Sequence, residues 1–149
     1  MSTKRSAVLR VMVIVILALL GLQYEFGMAV NISNPPSLPP TGFSLSGASN
    51  ALQQAGVVAV IHASLGSGLV IFSLINLVLS LRSGLRSVQV FGSLAFLTVL
   101  LAALTGLLFT LSGFQNDGDS HGMATNFLLS FTFYFLELYF LKPVPVSRS

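Results

Sequence analysis

Four long apolar runs, separated by short polar segments, constrain this chain more than any other feature. They fall at about residues 7–30, 55–81, 88–111 and 122–141. A bilayer core about 30 Å thick is crossed by about 20 mostly apolar residues in helical form, so each run is long enough to span it. Only 7% of the chain is charged, against about 25% in an ordinary soluble domain. So few charges cannot cover the surface of a water-soluble fold of this size. The expected fold class is therefore all-α: an integral membrane four-helix bundle, a single membrane domain over residues 1–149 in contact with the lipid bilayer.

The charges also set the orientation. Lys4, Arg5 and Arg10 open the first run, Arg82 and Arg86 bracket the turn between the second and third, and Lys142 and Arg148 follow the fourth. In a four-span chain these places share one side, and their Lys and Arg make it cytoplasmic. Both termini are thus expected in the cytoplasm and the protein in a cell membrane. The other side receives the outer loop 31–54, uncharged and rich in Pro, Ser, Gly and Asn, and the acidic turn from Ser112 to His121. Lys4, Arg5 and the run after them also resemble a cleavable signal peptide, with Gly27 and Ala29 small enough to flank a cut. The run is longer than a signal peptide needs, which favours a retained first span. The net charge of +3 comes without a basic stripe interleaved with aromatics, so no nucleic-acid partner is expected. The absence of cysteine removes disulfides, thiolate metal sites and cysteine nucleophiles.

Lipid gives helices no hydrophobic reason to associate, so small and polar residues mark the inward faces. On the second span His62, Gly66, Leu69, Ser73, Asn76 and Ser80 recur at alternating spacings of four and three and share one face. Gly92, Ala95, Ala102 and Gly106 make a small-residue face on the third, with Thr98 and Thr105 beside it. Asn126, Ser130 and Glu137 share a face on the fourth. The Ser, Thr and Asn side chains are expected to bond between helices, and the Phe residues, Tyr134 and Tyr139 to pack and to anchor the interface.

The titratable residues divide by depth. Glu137 lies about one and a half turns inside Lys142, where an ionised carboxylate needs a partner or a proton. An ion pair with Arg10, Arg82 or Arg86 is the expectation. Glu25 either reaches water as an interface carboxylate or faces His62 in a buried polar cluster. Asp119 or Ser120 is expected to cap the fourth span. His62 lies 20 residues before Arg82 and His121 lies 21 before Lys142, so at about 1.5 Å per residue both stand about 30 Å from the cytoplasmic end. Two histidines at one level on separate helices are what axial ligation of a haem iron requires. If the fourth helix is regular through His121, that residue projects about 160° away from Glu137. The ligand geometry then requires the helix to start after His121.

The layout resembles one four-helix half of haem A synthase, with a polar outer loop after the first span and a histidine near the outer end of the second and the fourth. Ile61-His62-Ala63 and Gln115-Asn116-Asp117 are the local stretches that look alike. The resemblance implies binding of haem b by His62 and His121. It does not extend to synthase activity, because Ala59 stands where that family carries a glutamate, and the outer-loop cysteines are missing. The chain is also similar to small four-span prokaryotic membrane proteins of unknown function. Gly27, Met28 and Asn31 at the end of the first span, His62 to Gly66 on the second, and Met123-Ala124 after an acidic loop carry that likeness.

Three functions are therefore in view. The first is a non-enzymatic subunit or accessory of a larger membrane complex, with a membrane protein partner or a homo-oligomer. The second is a b-type haem protein for electron transfer or haem handling. The third is a small transporter or channel, although the chain lacks the broken-helix pair that transport sites use. No nucleophile triad, phosphate loop or metalloprotease motif points to an enzyme.

Overall fold

Helix formation follows the apolar runs. In the computed structural model, which describes residues 3–32, 38–40 and 44–141, the described residues form five α-helices and no strand. These are α1 (Thr3–Ile32), α2 (Leu45–Ala55), α3 (Val57–Leu81), α4 (Arg86–Leu111) and α5 (Asp117–Phe140). Three of them, α1, α3 and α4, are long and apolar enough to cross a membrane. The run of α5 is interrupted by Asn126, Ser130, Thr132 and Glu137, and it is not among the three. Lys142 and Arg148, on which part of the orientation rests, lie outside the described residues.

Two boundaries differ from the sequence reading. The outer loop is not all loop, because it contains α2. Ser44 caps this helix, its Oγ accepting from the Gly47 amide at 3.0 Å. Gly56, at φ 100°, ends it and turns the chain directly into α3, a backbone geometry that favours glycine. Ala48 and Ala51 are buried, and α2 packs on α3 and α4. The Ser, Gly and Asn content reads as loop, yet the small alanines allow a close approach that propensity does not register. The second difference is the start of α5 at Asp117 rather than near residue 122. Its cap is Asn116, not Asp119 or Ser120: Asn116 Oδ1 accepts from the Gly118 amide at 3.1 Å, and its Nδ2 donates to Asp119 Oδ2 at 2.8 Å. Asp117 and Asp119 then sit in the first turn, where the helix dipole favours negative charge.

The four long helices pack in a ring: α1 touches α3 and α5, and α4 touches α3 and α5. Gln23 lies against Gly66, and Gly27 against His62, so α1 and α3 are antiparallel. Gly106 against Met123 and Gly122 against Thr105 give the same sense for α4 and α5. Every helix turns a seven-residue repeat inward. On α1 it is Leu9, Val13, Ile16 and Leu20, and on α3 Leu69, Ser73, Asn76 and Ser80; Val88, Gly92, Ala95 and Val99 continue it on α4, and Ser130, Tyr134 and Glu137 on α5. Such a repeat produces left-handed coiling of neighbouring helices. Large apolar residues are exposed on all four, Val11 and Ile14, Ile71 and Leu74, Leu97 and Leu104, Leu128 and Phe135, with Ser64, Ser67, Thr125 and Thr132 exposed among them. A mostly hydrocarbon exterior around several buried polar groups is unlike a water-soluble helical protein.

Candidate functional site

The largest concentration of buried polar groups lies between α3 and α5, about one turn from the end marked by Arg82 and Arg86. Ser73, Asn76, Ser80, Tyr134 and Glu137 are all 0% exposed. The inward repeats of the two helices bring positions 73, 76 and 80 to face 134 and 137, although α3 and α5 stand diagonally in the ring. Asn76 Nδ2 lies 3.0 Å from Glu137 Oε2 and 3.2 Å from Oε1. Ser80 Oγ lies 2.5 Å from Oε1 and 2.8 Å from the Asn76 carbonyl oxygen. The Tyr134 hydroxyl is buried beside Ser73 and close to Glu137. Ser73 Oγ, Asn76 Oδ1 and Tyr134 Oη have no hydrogen-bond partner among the described residues.

The third wall is α4, and it is kept thin by Gly92. A Cβ there would stand 2.7 Å from Ser80 Cβ and Oγ and 3.1 Å from Glu137 Oε1. The expected ion pair with Arg10, Arg82 or Arg86 does not form among the described residues. Arg82 and Arg86 are exposed, and neutral Asn76 and Ser80 take the carboxyl instead. The reason is rotational: the Glu137 face of α5 looks across the ring to α3, not along it to the helix ends.

A second, smaller polar layer ties α4 to α5. Ser130 Oγ lies 3.0 Å from Thr98 Oγ1 and 2.7 Å from the Asn126 carbonyl oxygen, and Thr98 Oγ1 lies 3.0 Å from the Leu94 and Ala95 carbonyl oxygens. Asn126 is half-buried and bonds only within its own helix, its Nδ2 donating to the Gly122 carbonyl at 2.9 Å.

A third polar layer lies towards the opposite end, between α1 and α3. Gln23 Nε2 donates to His62 Nε2 at 3.2 Å, while His62 Nδ1 and Gln23 Oε1 are buried without a partner among the described residues. The ring packs on Gly27, where a Cβ would stand 3.0 Å from His62 Cε1. Of the two readings of Glu25, the exposed one holds and the cluster with His62 does not form, because Gln23 and Gly27 continue the inward repeat of α1 and Glu25 falls off it. His121 is also exposed, on a helix that is already regular at Asp117. This is the arrangement in which His121 and Glu137 point to different sides, and the structure does not aim His121 inward at His62.

Gln23 has no place in the expected inward faces, and Tyr134 is expected there only as a packing and interface residue. The signal was present in both cases: Gln23 continues Leu9, Val13, Ile16 and Leu20, and Tyr134 lies between Ser130 and Glu137 at the same alternating spacing. No protein-family model, no curated protein and no solved structure matches the chain.

Proposed function

We propose that this chain is a four-span integral membrane protein with both termini in the cytoplasm, working as a non-enzymatic subunit or accessory of a larger membrane assembly. One observation carries the reading. On each of the four long helices, α5 included, most outward residues are apolar, while Ser73, Asn76 and Ser80 on α3, Thr98 on α4, and Ser130 and Glu137 on α5 turn inward. The inward turn of Asn126, Ser130 and Glu137 explains how α5 can cross a bilayer despite its polar residues. A surface of this kind is at home against lipid tails or other transmembrane helices, and Asn76, Ser80 and Glu137 inside bond to one another. Interhelical hydrogen bonds of this type contribute about 0.6 kcal/mol each on average, which suits a scaffold.

The test is to isolate the protein at native abundance in mild detergent, measure the mass of the particle and take its visible spectrum. The expected result is a colourless particle heavier than the single chain, containing a second membrane protein in fixed ratio. A monodisperse single chain would overturn the accessory reading. A low-spin b-type haem spectrum lost in both His62→Ala and His121→Ala would replace it with the haem protein, and ion or solute flux in liposomes would replace it with a transporter or channel.

A further inference from the structure

We infer that Glu137 is a proton site: its carboxyl carries a hydrogen on Oε1, directed at Ser80 Oγ, and is neutral inside the bundle. The inference goes beyond the accessory role and does not depend on which partner the protein has. It rests on counting hydrogens at the α3–α5 contact.

Ser80 Oγ has two acceptors in reach, the Asn76 carbonyl oxygen at 2.8 Å and Glu137 Oε1 at 2.5 Å. Its single hydrogen serves one of them. A serine within a helix commonly donates back to the carbonyl four residues earlier, which here is that of Asn76. The contact with Oε1 then needs a hydrogen from the other side, and only Glu137 can provide it. With that hydrogen in place the three shortest contacts each carry one donor: Glu137 Oε1 donates to Ser80 Oγ, Ser80 Oγ donates to the Asn76 carbonyl, and Asn76 Nδ2 donates to Glu137 Oε2 at 3.0 Å, its second hydrogen being left for Ser80 Oγ at 3.3 Å.

Charge balance points the same way. Glu137 is wholly buried, and an ionised carboxylate out of water is tolerated only with a cation or several donors. From α3 it faces Asn76 and Ser80, from α4 it faces Gly92, and on its own helix it has Tyr134. On α1 the buried stripe towards this end is Leu9 and Val13. No described Lys or Arg is among its partners. Ser73 Oγ, Asn76 Oδ1 and Tyr134 Oη are buried in the same layer without partners among the described residues, and none of them is cationic.

The experiment is infrared spectroscopy of the protein in lipid vesicles at neutral pH, in light and heavy water, with and without sodium. The wild type should show the carbonyl stretch of a protonated carboxylic acid, absent in Glu137→Gln and retained in Glu25→Gln. Ser80→Ala removes the acceptor of that hydrogen and should raise the frequency of the acid band without abolishing it. Carboxylate bands alone in the wild type would overturn the inference, whatever the variants do. An acid band lost on adding sodium would overturn it too and make the site one for a metal cation. A band unmoved in Ser80→Ala would overturn the placement of the hydrogen.

Discussion

A methyl group decides whether the α3–α5 contact can form. At Gly92 a Cβ would lie 2.7 Å from the Ser80 side chain, both residues are buried, and neither helix has room to give. Overpacking of this kind costs about 1–3 kcal/mol, so Gly92→Ala should lower the unfolding midpoint in mixed micelles. Gly68 provides the control: a Cβ there meets nothing within 4 Å, and Gly68→Ala should leave the midpoint unchanged or raise it by up to about 1 kcal/mol through helix propensity. Equal effects at the two positions would refute the packing account. The two asparagines separate in the same assay. Asn76→Ala strips both Glu137 oxygens of a buried donor and should cost about 1–3 kcal/mol. Asn126 bonds only to its own helix, and Asn126→Ala should stay within about 0.5 kcal/mol.

Elements were legible where a periodic face ran long enough to be counted. The stripe from His62 to Ser80 is the inward face of α3, with Leu69, Ser73, Asn76 and Ser80 buried. The identity of each partner was less legible, because it depends on the rotation of a second helix: Glu137 was matched to arginines by depth alone, and the diagonal contact to Asn76 is a matter of azimuth. The short elements were hardest. Helix α2 opens with the turn-favouring Ser46, Gly47, Ser49 and Asn50 among good helix formers, and it packs on α3 and α4. The segment before it is fastened by a strap that no pattern announces: the Leu38 amide donates to the Gly113 carbonyl at 3.1 Å, and Gln115 Nε2 donates to the Leu38 carbonyl at 2.9 Å. Gly113 has φ 72°, and a Cβ on it would collide with the Leu38 carbonyl oxygen. Gly113→Ala therefore combines backbone strain with a clash and should release the strap. The Leu38 amide should exchange with solvent much faster in the variant, while amides of α3 keep their protection; unchanged exchange at Leu38 would remove the strap from the account.

At the scale of the whole molecule the membrane reading depends on which residues meet water, and a chain without cysteine allows this to be tested one thiol at a time. Ile71 and Phe135 are 62% and 59% exposed on α3 and α5. In a water-soluble protein cysteines at these positions would react readily with a membrane-impermeant maleimide. In a bilayer-spanning bundle they face lipid, and Ile71→Cys and Phe135→Cys should remain unlabelled until the membrane is dissolved in denaturant. Phe135 is the more informative, since α5 is the helix whose polar residues leave its span in question. Exposed Ser46 on α2 and Ser87 at the start of α4 supply the sidedness. On the proposed topology, in which the positive charge of Arg82 and Arg86 puts that turn in the cytoplasm, Ser46→Cys should be labelled from outside intact cells and Ser87→Cys only after the membrane is opened. Labelling of Phe135→Cys in intact membranes would reduce the count to three spans and place the two termini on opposite sides. Labelling of Ser87→Cys from outside would invert the molecule, and with it the side of the membrane nearer to Glu137.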